Sequence, residues 1–316
     1  MMTKASTIAG FSILGPKKGD EPVKKGPSKK LGESNTKNKD FKSEGENKKL
    51  FRAILERREK LLIQFQPILD ITDNRIVGFE AISYGPKGTK RSKKPALHFP
   101  NALFSYAERQ GKLIELETIC CRSILRDFSP FPGYLKLFLN VSPRSLPKPE
   151  IMSILLEGAK QYRNRLVVEI TERDKIKDFD LLKQAVLSLR DKGIEIAVDD
   201  VSDGYSRLSV IAELDPDYIK IDHEYIHRLV AKVNSGEPNR YREVSGSIVH
   251  LSKGVKAKVV AEGIEHPSQL RVLKSLGIDI DLAQGHLWGR PAPAHHWIGE
   301  YLDEHRQRST AGGGLL

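Results

Sequence analysis

The chain is poor in the residues that fix a fold covalently or seat it in a bilayer. Its only two cysteines, Cys120 and Cys121, are adjacent, and neighbouring cysteines rarely reach the geometry of an unstrained disulfide. A disulfide framework is therefore excluded, and the pair reads as core thiols on a helix. The surrounding segment, ETICCRSIL, holds no histidine and no second cysteine pair at ligand spacing, which argues against a cysteine-based zinc site. No run of eighteen apolar residues occurs, so no transmembrane helix is expected. The uncharged stretch between Lys4 and Lys17 mixes Ser, Thr, Gly and Pro into its apolar residues and lacks the compact apolar centre of a signal peptide. The expected location is the cytoplasm.

Arginine is missing from the first fifty residues, which instead carry twelve lysines against six acidic residues. That segment supplies +6 of the formal net charge of +11. With KKGDEPVKKGPSKKLGESNTKNKD at its centre, it has too few apolar residues to offset the entropy of ordering and reads as a disordered basic tail over residues 1–46. Without Arg, Trp or Tyr to stack on bases, it is ill suited to sequence-specific nucleic-acid recognition. The last ten residues, 307–316, read as a flexible C-terminal tail.

The span between, residues 47–306, is long enough for two ordinary domains or one barrel. It opens with an amphipathic segment, NKKLFRAILERREKLL, that predicts a helix from Asn47. Eight short apolar or β-branched runs follow, at 61–71, 76–83, 134–142, 165–171, 194–200, 218–222, 258–264 and 282–289, and they predict strands. Only the turn-rich TDNR separates the first two, which predicts an antiparallel hairpin. Later runs alternate with segments of helical periodicity, such as 101–128 and 178–193. The predicted fold is an α/β, TIM-like (β/α)8 barrel with an antiparallel first strand.

Polar residues recur toward the C-terminal part of seven of these runs: Glu80, Asn140, Glu169, Asp199 with Asp200, Lys220, Glu262 and Gln284. In a parallel barrel those ends converge on the catalytic mouth. Several carboxylates gathered there repel one another unless a divalent cation neutralises them. Oxygen donors without His or Cys favour a hard cation, Mg2+ or Mn2+. Such a site with a nearby lysine suits phosphodiester hydrolysis.

From about Leu61 to Pro293 the chain resembles the EAL-domain family of cyclic di-GMP phosphodiesterases. The resemblance is carried by QPILDITDNRIVGFEAI, LFLNVSPRSL, VVEITE, AVDDVSDGYSRL, YIKID, VVAEGIE and QGHLWGRP, in register. It implies a barrel that hydrolyses one phosphodiester of cyclic di-GMP to linear pGpG with Mg2+ or Mn2+, and it suggests a homodimer. By the same resemblance, Glu80, Asn140, Glu169 and Asp199 match metal ligands and Asp200 a ligand of a second ion. Lys220 matches the lysine near the attacking water, with Glu262, Gln284 and Glu265 around it, while Glu172 matches the anchor of the loop after the paired aspartates. Gln66, Ile82, Tyr84 and Pro291 fall at substrate-binding positions.

Two departures bear on activity. The family's E-A-L-x-R is here Glu80-Ala81-Ile82-Ser83-Tyr84, so Tyr stands where a cation is expected and cannot neutralise a phosphate. The loop F-G-T-G-Y-S-S-L is here Val201 to Leu208, VSDGYSRL, with one glycine fewer and two charges more. An alternative reading is therefore a cyclic di-GMP receptor that binds without cleaving. His223-Glu224-Tyr225-Ile226-His227 fits the zinc-protease pattern H-E-x-x-H, but it lies immediately after the YIKID run and only Glu243 stands out as a third ligand, so that reading is rejected.

Overall fold

The computed structural model describes residues 34–87, 96–171, 178–201, 205–235 and 240–299. Residues 1–42 and 43–316 are separate compact units. Of the first, only the start of helix α1 (Ser34–Leu55) is described, and the helix begins upstream of Asn47. Its later turns bury Phe51 and Ile54 in the core of the second unit.

Eight strands form one closed barrel: β1 (Leu62–Asp70), β2 (Ile76–Tyr84), β3 (Lys136–Val141), β4 (Leu166–Thr171), β5 (Glu195–Val201), β6 (Tyr218–Ile221), β7 (Lys258–Ala261) and β8 (Leu282–Gln284). Each falls within or against a run read from the sequence. Strand β1 runs antiparallel to both neighbours, β2 and β8, and all other pairs are parallel. The β1–β2 turn forms because Asp70 Oδ1 accepts from Thr72 N at 2.8 Å and Asp73 Oδ1 from Arg75 N at 3.1 Å. Asn74 takes the left-handed conformation that short polar side chains tolerate.

The helices that follow are α2 (Pro100–Arg109), α3 (Leu113–Phe128), α4 (Pro149–Tyr162), α5 (Phe179–Arg190), α6 (Tyr205–Leu214), α7 (His223–Ser235), α8 (Arg240–Val255) and α9 (Pro267–Ser275). The single helical span expected over 101–128 is thus two helices. Gly111, at φ +65°, makes the left-handed break between them that residues with a Cβ rarely adopt. Asp178 starts α5 by accepting from Leu181 N at 3.0 Å.

Period-two alternation sorts the strand side chains. Leu137, Leu139 and Val141 of β3, Leu166, Val168 and Ile170 of β4, and Ile196 and Val198 of β5 join the large core between barrel and helices. A second, smaller cluster packs Ile68, Phe138, Val167, Ala197, Tyr218, Val260 and Leu282 together. Two residues beyond its members stand Asn140, Glu169, Asp199, Lys220, Glu262 and Gln284. Each of those strands therefore contributes an apolar residue to a plug and then, one pleat later, a polar residue to the mouth. On the antiparallel β1 the order is reversed, with Gln66 preceding Ile68. Burial of each large plug side chain is worth about 1.5–3 kcal/mol, which seats the polar layer on a rigid floor.

Candidate active site

At the centre of the mouth is a lysine with no exposed surface. The Lys220 ammonium lies 2.7 Å from Glu169 Oε1, 2.8 Å from Glu262 Oε1, 3.3 Å from Glu80 Oε2 and 3.7 Å from Asp199 Oδ1. These groups come from β6, β4, β2, β5 and the residue following β7, so the barrel's closure is what brings them together. Asn140 donates from Nδ2 to Glu80 Oε1 and to Glu169 Oε2, both at 2.9 Å. Gln284 donates to Glu80 Oε2 at 2.5 Å and to Gln66 Oε1 at 3.0 Å, while Gln66 donates to Gly289 O at 3.1 Å.

One ammonium faces four carboxylates, and the protonation equilibria follow from that imbalance. Burial alone would lower the Lys220 pKa, but Asp199, Glu169, Glu262 and Glu80 hold it well above the ordinary lysine value. Burial pushes Glu169 well above the usual carboxylate range despite Lys220, with Glu80 and Asp199 adding repulsion. Burial also raises Glu262, to about 8. Glu80 goes the other way: the penalty of burial is outweighed by Lys220 and by hydrogen bonds from Gln284, Lys220 and Asn140.

Gln284 Oε1 is buried and accepts no hydrogen bond, while Glu169 Oε1 meets the Lys220 ammonium at 2.7 Å. An orphaned acceptor such as Gln284 Oε1 is costly in a closed structure and is suited to a cation or a water. As the side chains stand, no three acidic, histidine or cysteine groups among the described residues converge on one point that could hold a metal ion. The donor chemistry of Glu80, Asn140, Glu169 and Asp199 is nonetheless all oxygen, which fits a hard divalent ion.

A cavity of about 690 Å3 opens above this cluster. Gln66, Glu80, Ile82, Asn140, Asp199, Glu262, Glu265 and Gln284 line it together. Tyr84 and Pro291 are not among its described lining residues. The Tyr84 ring instead packs on His98, with centroids 5.6 Å apart and planes 39° from parallel, and burial with the nearby Glu80 charge raises its phenol pKa. Pro291 precedes Ala292, which bridges to Phe65 on β1. The side chain of Asp200, the whole of Glu172 and residues 202–204 lie outside the described residues.

Part of the wall carries no signal in the sequence. Glu117 and Ser142 line the cavity. Glu117 sits in the apolar run of α3, where the helical spacing of its neighbours conceals a buried carboxylate. His223 and His227 line it too, at the start of α7, with Gly263 pressed against His223. A Cβ on Gly263 would stand 2.3 Å from His223 Cβ, and its φ is +65°, so only glycine fits there. His286 Nδ1 is 3.2 Å from Glu265 Oε1 at the same rim.

The fold is a closed α/β barrel whose carboxylates, amides and single ammonium gather at the strand ends. Residues 47–291 match the family model for the EAL domain, and the chain belongs to that family. It is 29% identical over 252 residues to the Escherichia coli (strain K12) protein named "Probable cyclic di-GMP phosphodiesterase PdeN", covering 77% of this chain and 45% of that protein. The EAL enzyme Bd1971, solved with cAMP and cyclic di-GMP, superposes with a TM-score of 0.67 at 22% identity, covering 84% of this chain and 70% of that one. Klebsiella pneumoniae BlrP1, solved with manganese and cyclic di-GMP, gives a TM-score of 0.58 at 26% identity over 74% of this chain and 56% of that one. The chain spans less than half the length of the curated relatives it matches. Among the described residues, no helix is long and apolar enough to cross a membrane.

Proposed function

We propose that this chain is a divalent-metal-dependent phosphodiesterase that opens one phosphodiester of cyclic di-GMP to give linear pGpG. The observation that carries the reading is the fully buried Lys220 held by Glu80, Glu169, Asp199 and Glu262 at the barrel mouth. Membership of the EAL family and relatives named for this activity support it.

Glu80, Asn140, Glu169 and Asp199 would hold the ion, Mg2+ or Mn2+, with Asp200 serving a second one. A bound divalent ion supplies Lewis acidity and lowers the pKa of water. The chain's own groups do the rest. Lys220, fully buried behind the cavity-lining Glu80, Asp199 and Glu262, would supply a fixed positive charge that offsets the negative charge developing on a phosphate. Glu262, beside Lys220 and facing the cavity, is placed to accept a proton from the attacking water. Gln284 fixes Glu80 and leaves its own Oε1 as an acceptor. Gln66 and Ile82 border the space for the dinucleotide.

A second reading, a cyclic di-GMP receptor without turnover, is favoured by one observation: Tyr84 is committed to His98 and brings no cation to the site. Steady-state hydrolysis by Glu80→Ala and Asp199→Asn decides between them. Each should lose more than tenfold in kcat, at least about 1.4 kcal/mol of barrier. If the wild type turns over and either variant stays within tenfold of it, the ligand assignment is wrong; if the wild type binds the dinucleotide without cleaving it, the receptor reading stands.

A further inference from the structure

Glu117 is a carboxylate buried on the inward face of α3, only 4% exposed, and none of the chemistry above uses it. Each of its oxygens accepts a hydrogen bond from Ser142. Oε1 accepts from the backbone N–H of Ser142 at 3.1 Å, and Oε2 accepts from Ser142 Oγ at 3.0 Å. Ser142 Oγ also lies 3.0 Å from Ser145 Oγ. A hydroxyl has one hydrogen, so with Ser142 donating to Glu117, the hydrogen in the second contact belongs to Ser145. Ser142 O in turn accepts from Ser145 N and Leu146 N, both at 3.0 Å. The chain leaving β3 is thus gripped from the side by a charge and closed from below by its own turn.

Ser142 stands two residues after Asn140, whose amide spans Glu80 and Glu169 at 2.9 Å each. Strand β3 is held by β2 up to Ala81↔Leu139 and by β4 up to Val141↔Ile170, so beyond Val141 the ladder no longer fixes the backbone. The Glu117 clamp begins where the ladder ends. A neutral acceptor could bond the same N–H, and burying a charge is costly unless it is fully hydrogen-bonded. The clamp satisfies that condition, and a charged acceptor makes the stronger bond.

We propose that Glu117 is a positioning residue for the reaction at the mouth: by fixing Ser142 it sets the Asn140 amide between Glu80 and Glu169 and so prepares the cation site. The inference rests on the function proposed above for its effect on turnover, but not for its effect on Asn140. Glu117→Gln keeps the volume and replaces one acceptor oxygen by an amide nitrogen that cannot accept from Ser142.

The test has a metal-free arm and a metal arm. In metal-free protein, the Asn140 side-chain amide pair is observed by nitrogen–proton correlation spectroscopy and identified by its loss in Asn140→Asp. In Glu117→Gln it should move toward the position of a solvated amide. Ile154→Val, a conservative core change on α4, should leave it in place at comparable thermal stability. With Mn2+, calorimetry should show roughly tenfold weaker binding in Glu117→Gln, the scale on which partners behind metal ligands act. In turnover, kcat should fall by about as much while KM for cyclic di-GMP changes less than twofold. An unmoved Asn140 signal, or one that moves equally in Ile154→Val, overturns the proposal and makes Glu117 a fold residue only. Absence of Mn2+ binding and turnover in the wild type, with the Asn140 signal shifted in Glu117→Gln, would instead refute the proposed activity and leave the positioning role standing.

Discussion

Lys220 Nζ and Glu169 Oε1 are 2.7 Å apart, and neither side chain has any solvent exposure. A pair so placed is stable only because the rest of the mouth completes it. Removing one member strands the other, which typically costs about 3–5 kcal/mol. Lys220→Met should therefore lower the Tm of metal-free protein substantially, because four carboxylates lose their counter-charge. Mn2+ should raise the Tm of this variant by more than it raises that of the wild type, measured by calorimetric melting. Equal Mn2+ shifts would mean that the ion and the carboxylates do not meet.

The same imbalance sets a pH dependence. Glu262 has an ordinary value of 4.5 and is raised to about 8 in the folded, metal-free protein by burial. A carboxylic acid raised on folding binds more protons folded than unfolded, so its contribution to stability is complete below the unfolded value and is lost as pH rises through the folded one. Metal-free protein should lose stability between about pH 4.5 and 8, and Glu262→Gln should flatten that slope in denaturant titrations. A slope unchanged by the substitution would remove Glu262 as its source.

Tyr84 offers a gain-of-function experiment. Tyr84→Arg exchanges a ring packed on His98 for a cation that reaches phosphate bidentately. A charged hydrogen bond is worth about 1.5–3 kcal/mol, so KM for cyclic di-GMP should fall roughly tenfold or more. An unchanged KM would place position 84 outside the bound dinucleotide.

Cys120 and Cys121 are both buried. Burial raises the Cys120 thiol to about 12, despite a hydrogen bond with Ser83, and lifts Cys121 well above its ordinary value. Thiolate is the reactive form, so an aromatic disulfide reagent at pH 8 should label neither thiol in native protein and both in denaturant. Fast native labelling would contradict the packing of α3 against the barrel.

Much of this candidate site is legible in the sequence because a barrel strand repeats one pattern. Phe138 and Asn140, Val167 and Glu169, Ala197 and Asp199, Val260 and Glu262 each place an apolar residue and then a polar one two positions on, and the period of a strand puts both on the same side. What was not legible depended on contacts between distant segments. Nothing local distinguishes Glu117 from the solvated acids beside it until α3 is docked under Ser142. The division of 101–128 into two helices turned on the single residue Gly111, whose left-handed conformation is permitted rather than required by its sequence. The packing of the Tyr84 ring on His98 is of the same kind, since no periodicity links residues fourteen positions apart.

The central claim is metal-dependent cleavage of a cyclic dinucleotide. It is tested most directly by incubating the purified chain with cyclic di-GMP in Mg2+, in Mn2+ and in EDTA, and separating the products by chromatography beside Asp199→Asn. The account predicts pGpG with either ion, none in EDTA, and at least a tenfold loss in the variant. Intact cyclic di-GMP in every lane, with the nucleotide bound to the protein, would contradict it.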